Sequence, residues 1–202
     1  MANIAGLLEK YKTIEGERFF QELFEAKEYE PLLERKADVV LDVGACAGEF
    51  AAYIYDKAGK IYCFEPFSKH YEELEENVKE FELDKIRPYR LAIGDIKGLA
   101  RLTTNDFRGG NKLTEAIENT ELVPVTTLKQ FLLNNNIDHV DILKIDIEGG
   151  EYKVFTAKEF AEVAPKIDVI IGEHLNNVND VLTSLGYKVV HLKDNRNVLY
   201  ER

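Results

Sequence analysis

The stretch Val39-Val40-Leu41-Asp42-Val43-Gly44-Ala45-Cys46-Ala47-Gly48-Glu49-Phe50 constrains this chain more than any other, because an apolar run ends there in Asp-x-Gly-Ala-x-x-Gly. Val and Leu ahead of the turn specify a buried strand, small residues fill the turn, and Phe50, Tyr53 and Ile54 follow at helical spacing. A backbone that bends so sharply at the carboxyl end of a strand is where open α/β sheets hold nucleotide-like ligands. The helix behind it offers N–H groups at its start, and the missing side chains let a ligand approach the main chain.

The alternation continues downstream. Strands are expected at 39–43, 60–64, 87–93, 142–147 and 167–171. Helices are expected at 48–57 (ending near Gly59), 68–82, from Thr126 or Thr127 through Leu133, and over 151–160. This βαβ order implies parallel pairing. Asn176–Leu185 reads as a helix stopped by Gly186, and Tyr187–Leu192 with Val198–Tyr200 as an antiparallel hairpin across Asp194-Asn195-Arg196-Asn197. The predicted class is therefore α/β: a doubly wound, mostly parallel seven-stranded sheet with a C-terminal antiparallel hairpin. Ahead of it, Ile4, Leu7, Leu8 and Tyr11, then Phe19, Phe20, Leu23 and Phe24, recur at helical intervals. Residues 1–35 are accordingly expected as N-terminal helices forming an appendage or lid, and residues 36–202 as the ligand-binding domain. Residues 96–125 are less regular: strand-like pieces Leu99–Thr103 and Leu122–Val125 surround the polar segment Asn105–Asn111, a loop whose placement suits substrate contact.

A net charge of −11, with 37 acidic against 26 basic residues, repels polyphosphate backbones, so nucleic acid is not an expected partner. No run approaches the roughly 18 apolar residues of a membrane span, and the first 20 residues lack a basic start before an apolar stretch. A cytoplasmic protein without a membrane partner is expected. Cys46 and Cys63 have no spacing that suggests a disulfide framework or a zinc site.

Candidate functional residues fall at carboxyl strand ends: Asp42 and Gly44, Glu65, Asp95, Asp146 and Glu148, and Glu173 and His174. Chance placement would put as many at the opposite edge. Glu65 ends Ile61-Tyr62-Cys63-Phe64 and follows Gly44 by 65 − 44 = 21 residues, near the roughly 20-residue offset at which a carboxylate meets ribose hydroxyls. Pro66 then fixes the turn. The first turn lacks Gly-x-Gly-x-x-Gly, since Ala45 and Ala47 flank Cys46, so a pyrophosphate finds less main chain to approach. A nucleoside with an amino-acid tail needs no phosphate cradle.

Leu41-Asp42-Val43-Gly44-Ala45-x-x-Gly48-x-Phe50, Phe64-Glu65-Pro66, Leu91-Ala92-Ile93-Gly94-Asp95, Thr127-Leu128 and Leu143-Lys144-Ile145-Asp146-Ile147-Glu148-Gly149-Gly150-Glu151 together resemble the FkbM family of S-adenosylmethionine-dependent methyltransferases over about residues 38–175. The resemblance implies a Rossmann-like class I methyltransferase fold and S-adenosylmethionine as cofactor. It implies that Asp42 through Gly48, with Gly44, Ala45 and Cys46 between them, cradle the methionine portion, and Phe50 is counted among the cofactor-binding residues. Glu65 with Pro66 would take the ribose, and Ala92 through Asp95 would border the adenine. It also implies an oxygen acceptor on a sugar or other small polar metabolite. Family members often carry Asn where Cys46 stands, so one side-chain contact to the cofactor or neighbouring loop is not expected here.

A hydroxyl acceptor must lose its proton as the methyl arrives, and Asp146, Glu148, Glu173 and His174 are the candidate bases. Each has a simpler reading. Asp146 caps the next helix, Glu148 and Glu151 are solvated first-turn carboxylates, and Glu173 pairs with His174 at a strand end. The same four candidates match a divalent metal in ligand type only, without a diagnostic spacing, and no metal is assigned. Two other functions use the same sheet: a nicotinamide-dependent oxidoreductase, which Ala45 disfavours, and a non-catalytic cofactor-binding interaction domain, which the crevice acids disfavour.

Overall fold

The computed structural model describes residues 2–13, 29–105, 110–173, 175–190, 192 and 197–202. Its main sheet has seven strands: β1 (Ala37–Val43), β2 (Ala58–Phe64), β3 (Ile86–Tyr89), β8 (Val140–Ile145), β9 (Ile167–Glu173), β10 (Lys188–Val190) and β11 (Asn197–Glu201). They run in the order β10-β11-β9-β8-β1-β2-β3. All neighbours up to β9 are parallel, and β11 is antiparallel to both β9 and β10. The order reverses between β1 and β8, which places a topological switch point beside the first turn.

Both faces are covered, as a doubly wound sheet requires. One face packs α1 (Ile4–Thr13), α2 (Glu30–Leu33), α3 (Glu49–Ile54) and α4 (Ser68–Glu80) against Val40, Ile61, Cys63, Ile142 and Ile171. The other packs α5 (Leu128–Asn134), α6 (Glu151–Thr156), α7 (Lys158–Val163) and α8 (Asn179–Ser184) against Leu41, Val43, Phe64, Leu143, Ile145 and Ile170. Thr127 caps α5 by accepting from the Gln130 N–H at 3.1 Å.

Several boundaries differ from the periodicity. The expected strand 87–93 is two: β3 ends at Tyr89, whose ring stacks on Phe64 at 5.7 Å, and β4 (Ala92–Ile93) leaves for another sheet. There β4, β5 (Gly98–Thr103), β6 (Leu113–Thr114) and β7 (Thr120–Thr126) form a four-stranded sheet in the order β4-β7-β5-β6, burying Leu102, Val123 and Val125 with Phe67 and Ala92. The strand-like pieces at 99–103 and 122–125 are thus real strands, but of a second sheet that local patterning does not reveal. The helix expected over 151–160 breaks at Ala157, which is extended at φ −62° and ψ 135°. Residues 155 and 160 lie about 140° apart on one continuous helix, so the break is what lets Phe155 and Phe160 meet edge to face at 4.8 Å in the core. The expected helix 48–57 ends at Ile54, because Ala58 and Gly59 already belong to β2. β8 ends at Ile145, leaving Asp146 and Ile147 in the following loop. The second N-terminal helix with Phe19, Phe20 and Phe24, the tip of the 105–111 loop, and most of the hairpin turn lie outside the described residues.

Candidate active site

Strand register assembles the base of the site. Asp42 on β1 lies opposite Cys63 on β2 and Lys144 on β8, so three polar side chains stand in a row on one face of an otherwise apolar sheet. Lys144 Nζ sits 3.3 Å from Asp42 Oδ1 and donates to the Gly44 carbonyl at 2.7 Å, while Cys63 Sγ lies 3.9 Å from Asp42 Oδ2. Burial pushes the Asp42 carboxyl up, against the pull of the Lys144 ammonium. Burial alone would push Lys144 down, but Asp42 and then Asp146 outweigh it and hold the ammonium above the ordinary lysine range. The pair is ionised, because a neutral Asp42 would leave a buried ammonium uncompensated. Lys144 thus braces the first turn, and sequence reasoning gave it no role. Its signal was a charge inside the apolar run Ile142-Leu143-Lys144-Ile145.

The turn above this row is a close fit. Gly44 has φ 79°, and a Cβ there would stand 1.8 Å from the Asp146 carbonyl oxygen, so only glycine lets β1 and the loop after β8 meet. Asp146 N donates to Val43 O at 2.9 Å from the other side of that contact. Gly44 N and Ala45 N both donate to Phe64 O at 3.0 Å, and Gly48 N donates to Ala45 O at 2.8 Å. Cys46, at φ 49°, donates its N–H to Glu65 Oε2 at 2.9 Å, and Ala47 N donates to Glu49 Oε2 at 3.1 Å. The N–H groups of the turn itself, residues 44–48, are all engaged within the fold, whereas the expectation from the sequence concerned the start of the following helix, which begins at Glu49. Two buried carboxylates already occupy the donors that an anion would seek.

Glu65 is 6% exposed and also accepts the Phe67 N–H through Oε1 at 2.8 Å. Burial pushes its pKa up to about 7, with Glu49 adding to the rise and the Phe67 and Cys46 N–H groups and Lys144 opposing it. A carboxylate has roughly four acceptor positions, so two main-chain bonds leave capacity for a diol. Pro66 is half-buried beside it, Ala92 is buried against Phe67, and Asp95 is exposed beyond β4. Phe50 lies in the core with its ring edge-on to Tyr29 at 5.1 Å.

The loop after β8 forms the facing wall. Glu151 is buried and accepts the N–H groups of Ile147 at 2.8 Å and Gly149 at 2.9 Å, so it clasps the loop and is not a solvated first-turn carboxylate. Glu148 is exposed in a left-handed conformation at φ 58°, and its Oε1 accepts the Gly110 N–H at 2.8 Å, tying this wall to the 105–111 loop. Asp146 is half-buried directly behind Gly44. Glu173 ends β9 opposite Asn197, and Gly172 before it admits the Ile145 carbonyl, which a Cβ would approach to 2.0 Å. His174 lies outside the described residues. Among the described residues, the cluster of potential metal ligands within 4.8 Å of one another is His139, Asp141 and Asp168, at the opposite edge.

The fold and this turn have known relatives. The chain resembles the FkbM methyltransferase structure from Methylobacillus flagellatus KT at 18% identity and a TM-score of 0.55, covering 83% of this chain and 44% of that one. It therefore spans less than half the length of that relative. It also resembles M. capricolum TrmK bound to S-adenosyl-homocysteine (12% identity, TM-score 0.51, 85% of this chain and 65% of that one). A third likeness is to an rRNA methylase from Streptococcus thermophilus (9% identity, TM-score 0.50, 86% and 92%). Among curated proteins none matches. At these identities the structures establish the fold, while the model of the methyltransferase FkbM domain matches residues 42–189, from Asp42 through the second helical face to β10. The chain belongs to the FkbM methyltransferase domain family.

Proposed function

We propose that this protein transfers a methyl group from S-adenosylmethionine to an oxygen of a small polar metabolite or sugar. One observation carries the cofactor assignment: the Cys46 and Ala47 N–H groups are held by the buried carboxylates Glu65 and Glu49. A dinucleotide pyrophosphate would have to displace both carboxylates and then lie beside them, against like-charge repulsion. A nucleoside with a sulfonium and an amino-acid tail brings one carboxylate in place of a pyrophosphate, together with two cationic groups that suit an acidic rim. Glu65 then accepts the two ribose hydroxyls, and residues 44–48 hold the amino-acid end from a turn braced by Asp42 and Lys144.

The bound cofactor supplies an electrophilic methyl group. The protein's part is to hold an acceptor oxygen in line, exclude water and accept the acceptor's proton. Asp146, Glu148 and Glu173 at the carboxyl edge, with His174 next to Glu173 in the sequence, are the candidates for that proton transfer. Asp146 is the foremost, since it adjoins the Gly44 turn. The oxygen acceptor follows from the FkbM likeness, the small-molecule substrate from the net charge of −11, which disfavours nucleic acid. Residues 36–202 act as the methyltransferase domain and residues 1–35 as its appendage. No described helix is long and apolar enough to cross a membrane.

Calorimetric titration with S-adenosylhomocysteine and with NAD separates the two cofactor classes. Binding of the first and not the second is expected, and the reverse would end the assignment. Glu65→Ala should weaken S-adenosylhomocysteine roughly a hundredfold, the scale of two charged hydrogen bonds. Asp146→Ala should spare binding and lower turnover with labelled methyl donor and a small-metabolite extract. Equal loss of binding in both would contradict this division of roles.

A further inference from the structure

We propose that Tyr11 and Asn77 are positioning residues for the cofactor turn: together they grip the Ala47 carbonyl from inside the protein and set how tightly residues 44–48 hold the ligand. The inference rests on the cofactor reading above and adds to it a contribution from α1, which lies outside the matched span 42–189. Tyr11 Oη donates to Ala47 O at 2.9 Å, and Asn77 Nδ2 donates to the same oxygen at 2.9 Å. The donors come from α1 and α4 and fill both lone pairs of one carbonyl. Tyr11 and Asn77 are each 1% exposed and Ala47 is 0% exposed, whereas Gly44 and Cys46 are the turn residues that solvent reaches. The grip is therefore on the inner side, and a ligand would lie on the outer.

Local geometry shows why this peptide needs holding. Gly48 has φ 96°, and a Cβ there would stand 2.8 Å from Leu74 Cδ1 on α4 and 3.6 Å from Tyr11 Oη. The Ala47–Gly48 unit is thus pressed against α1 and α4, with its carbonyl fixed by them and its Gly48 N–H fixed by Ala45 O. On the preceding peptide, Ala47 N is held by Glu49. If the carbonyl were released, the turn would have to be ordered when ligand binds, and affinity would fall by that ordering.

Asn77 also bears a cost that packing does not explain. Its Oδ1 is buried and has no hydrogen-bond partner among the described residues. It sits on the face of α4 that carries Leu74, where leucine would fill similar space with no stranded oxygen. A flipped amide would set oxygen against the Ala47 oxygen, so the donor must point where it does. The Asn77 side chain thus spends its donor on the cofactor turn while its oxygen stays unpartnered, the arrangement of a residue that serves the turn.

The test is titration of S-adenosylhomocysteine into wild type, Tyr11→Phe and Asn77→Leu, with thermal unfolding of each ligand-free protein. Each substitution should raise Kd by about three- to tenfold, the scale of one hydrogen bond. Asn77→Leu should unfold at the wild-type temperature or above it, so affinity and stability move apart. Tyr71→Phe, which removes a hydroxyl bonded to Glu75 on the exposed face of α4, should change neither. Unchanged Kd in both variants, or loss of affinity that merely tracks a lower unfolding temperature, overturns the inference while leaving the cofactor reading standing. Should Asn77→Leu not fold, Tyr11→Phe still decides it. Failure of wild type to bind removes both.

Discussion

At the carboxyl edge of the main sheet Asp42, Glu49 and Glu65 are 0%, 4% and 6% exposed, and each is held by an ammonium or by main-chain N–H groups. At the amino edge the same sheet also gathers acids. Asp168 pairs with His139 at 3.1 Å and Asp138 with Lys166 at 3.2 Å, but the carboxylates there have side chains 54% and 96% exposed. A tally of charges at strand ends does not separate the two edges. Burial separates the acids packed under the first turn, Asp42, Glu49 and Glu65, from the exposed ones at either edge, Asp95 and Glu148 as well as Asp168 and Asp138. Taking a carboxylate out of water is unfavourable unless it is paired, so buried acids accumulate where something other than stability holds them.

The largest effect should come from Gly44→Ala, whose Cβ has no room beside the Asp146 carbonyl and whose φ of 79° disfavours any side chain. Loss of about 3 kcal/mol or more in chemical unfolding, together with loss of S-adenosylhomocysteine binding, is expected. Next, Lys144→Met leaves Asp42 buried without its cation and should destabilise by about 3 kcal/mol or more, with Asp42→Asn in the same chain restoring part of it. The amino-edge counterpart, Lys166→Met, should cost at most about 1 kcal/mol. Equal costs at the two edges would break the comparison.

A smaller effect, and a signed one, comes from Glu65. Its carboxyl titrates near 7 when folded against an ordinary value of 4.5, so the free protein holds the proton more tightly than the unfolded chain. Stability from this group is present below about 4.5 and is lost as pH rises through about 7. A ribose diol donates to the ionised form, so S-adenosylhomocysteine affinity should fall as pH drops below about 7, by up to roughly tenfold per unit, and Glu65→Gln should flatten both profiles. The smallest change is at the amino edge, where His139→Ala should leave ligand affinity untouched and stability within about 0.5 kcal/mol.

The parts of the site legible in the sequence are those that depend on near neighbours. Gly44 and Gly48 mark a turn because an apolar strand and a helical pattern flank them, and Glu65 is found by its distance from Gly44 along one βαβ unit. Lys144 was visible only as an oddity, since its partner is 102 residues away and is chosen by the register of β1 on β8. Asn77 carried no signal in the sequence, since its partner, the Ala47 carbonyl, lies 30 residues away and is brought to it by packing. The second sheet escaped because β4 and β7 pair across a segment without local periodicity.

Alternation of apolar runs with helical patterns was enough to determine, from sequence alone, a doubly wound sheet with a sharp glycine turn at the end of β1, since strand and helix periods and glycine's freedom are local properties. Tertiary structure alone decided which donors of that turn are spent on Glu65 and Glu49, which carbonyls Lys144, Tyr11 and Asn77 hold, and which acids are buried. Hydrogen bonds and desolvation act between groups brought together by packing, and their partners cannot be read from spacing along the chain.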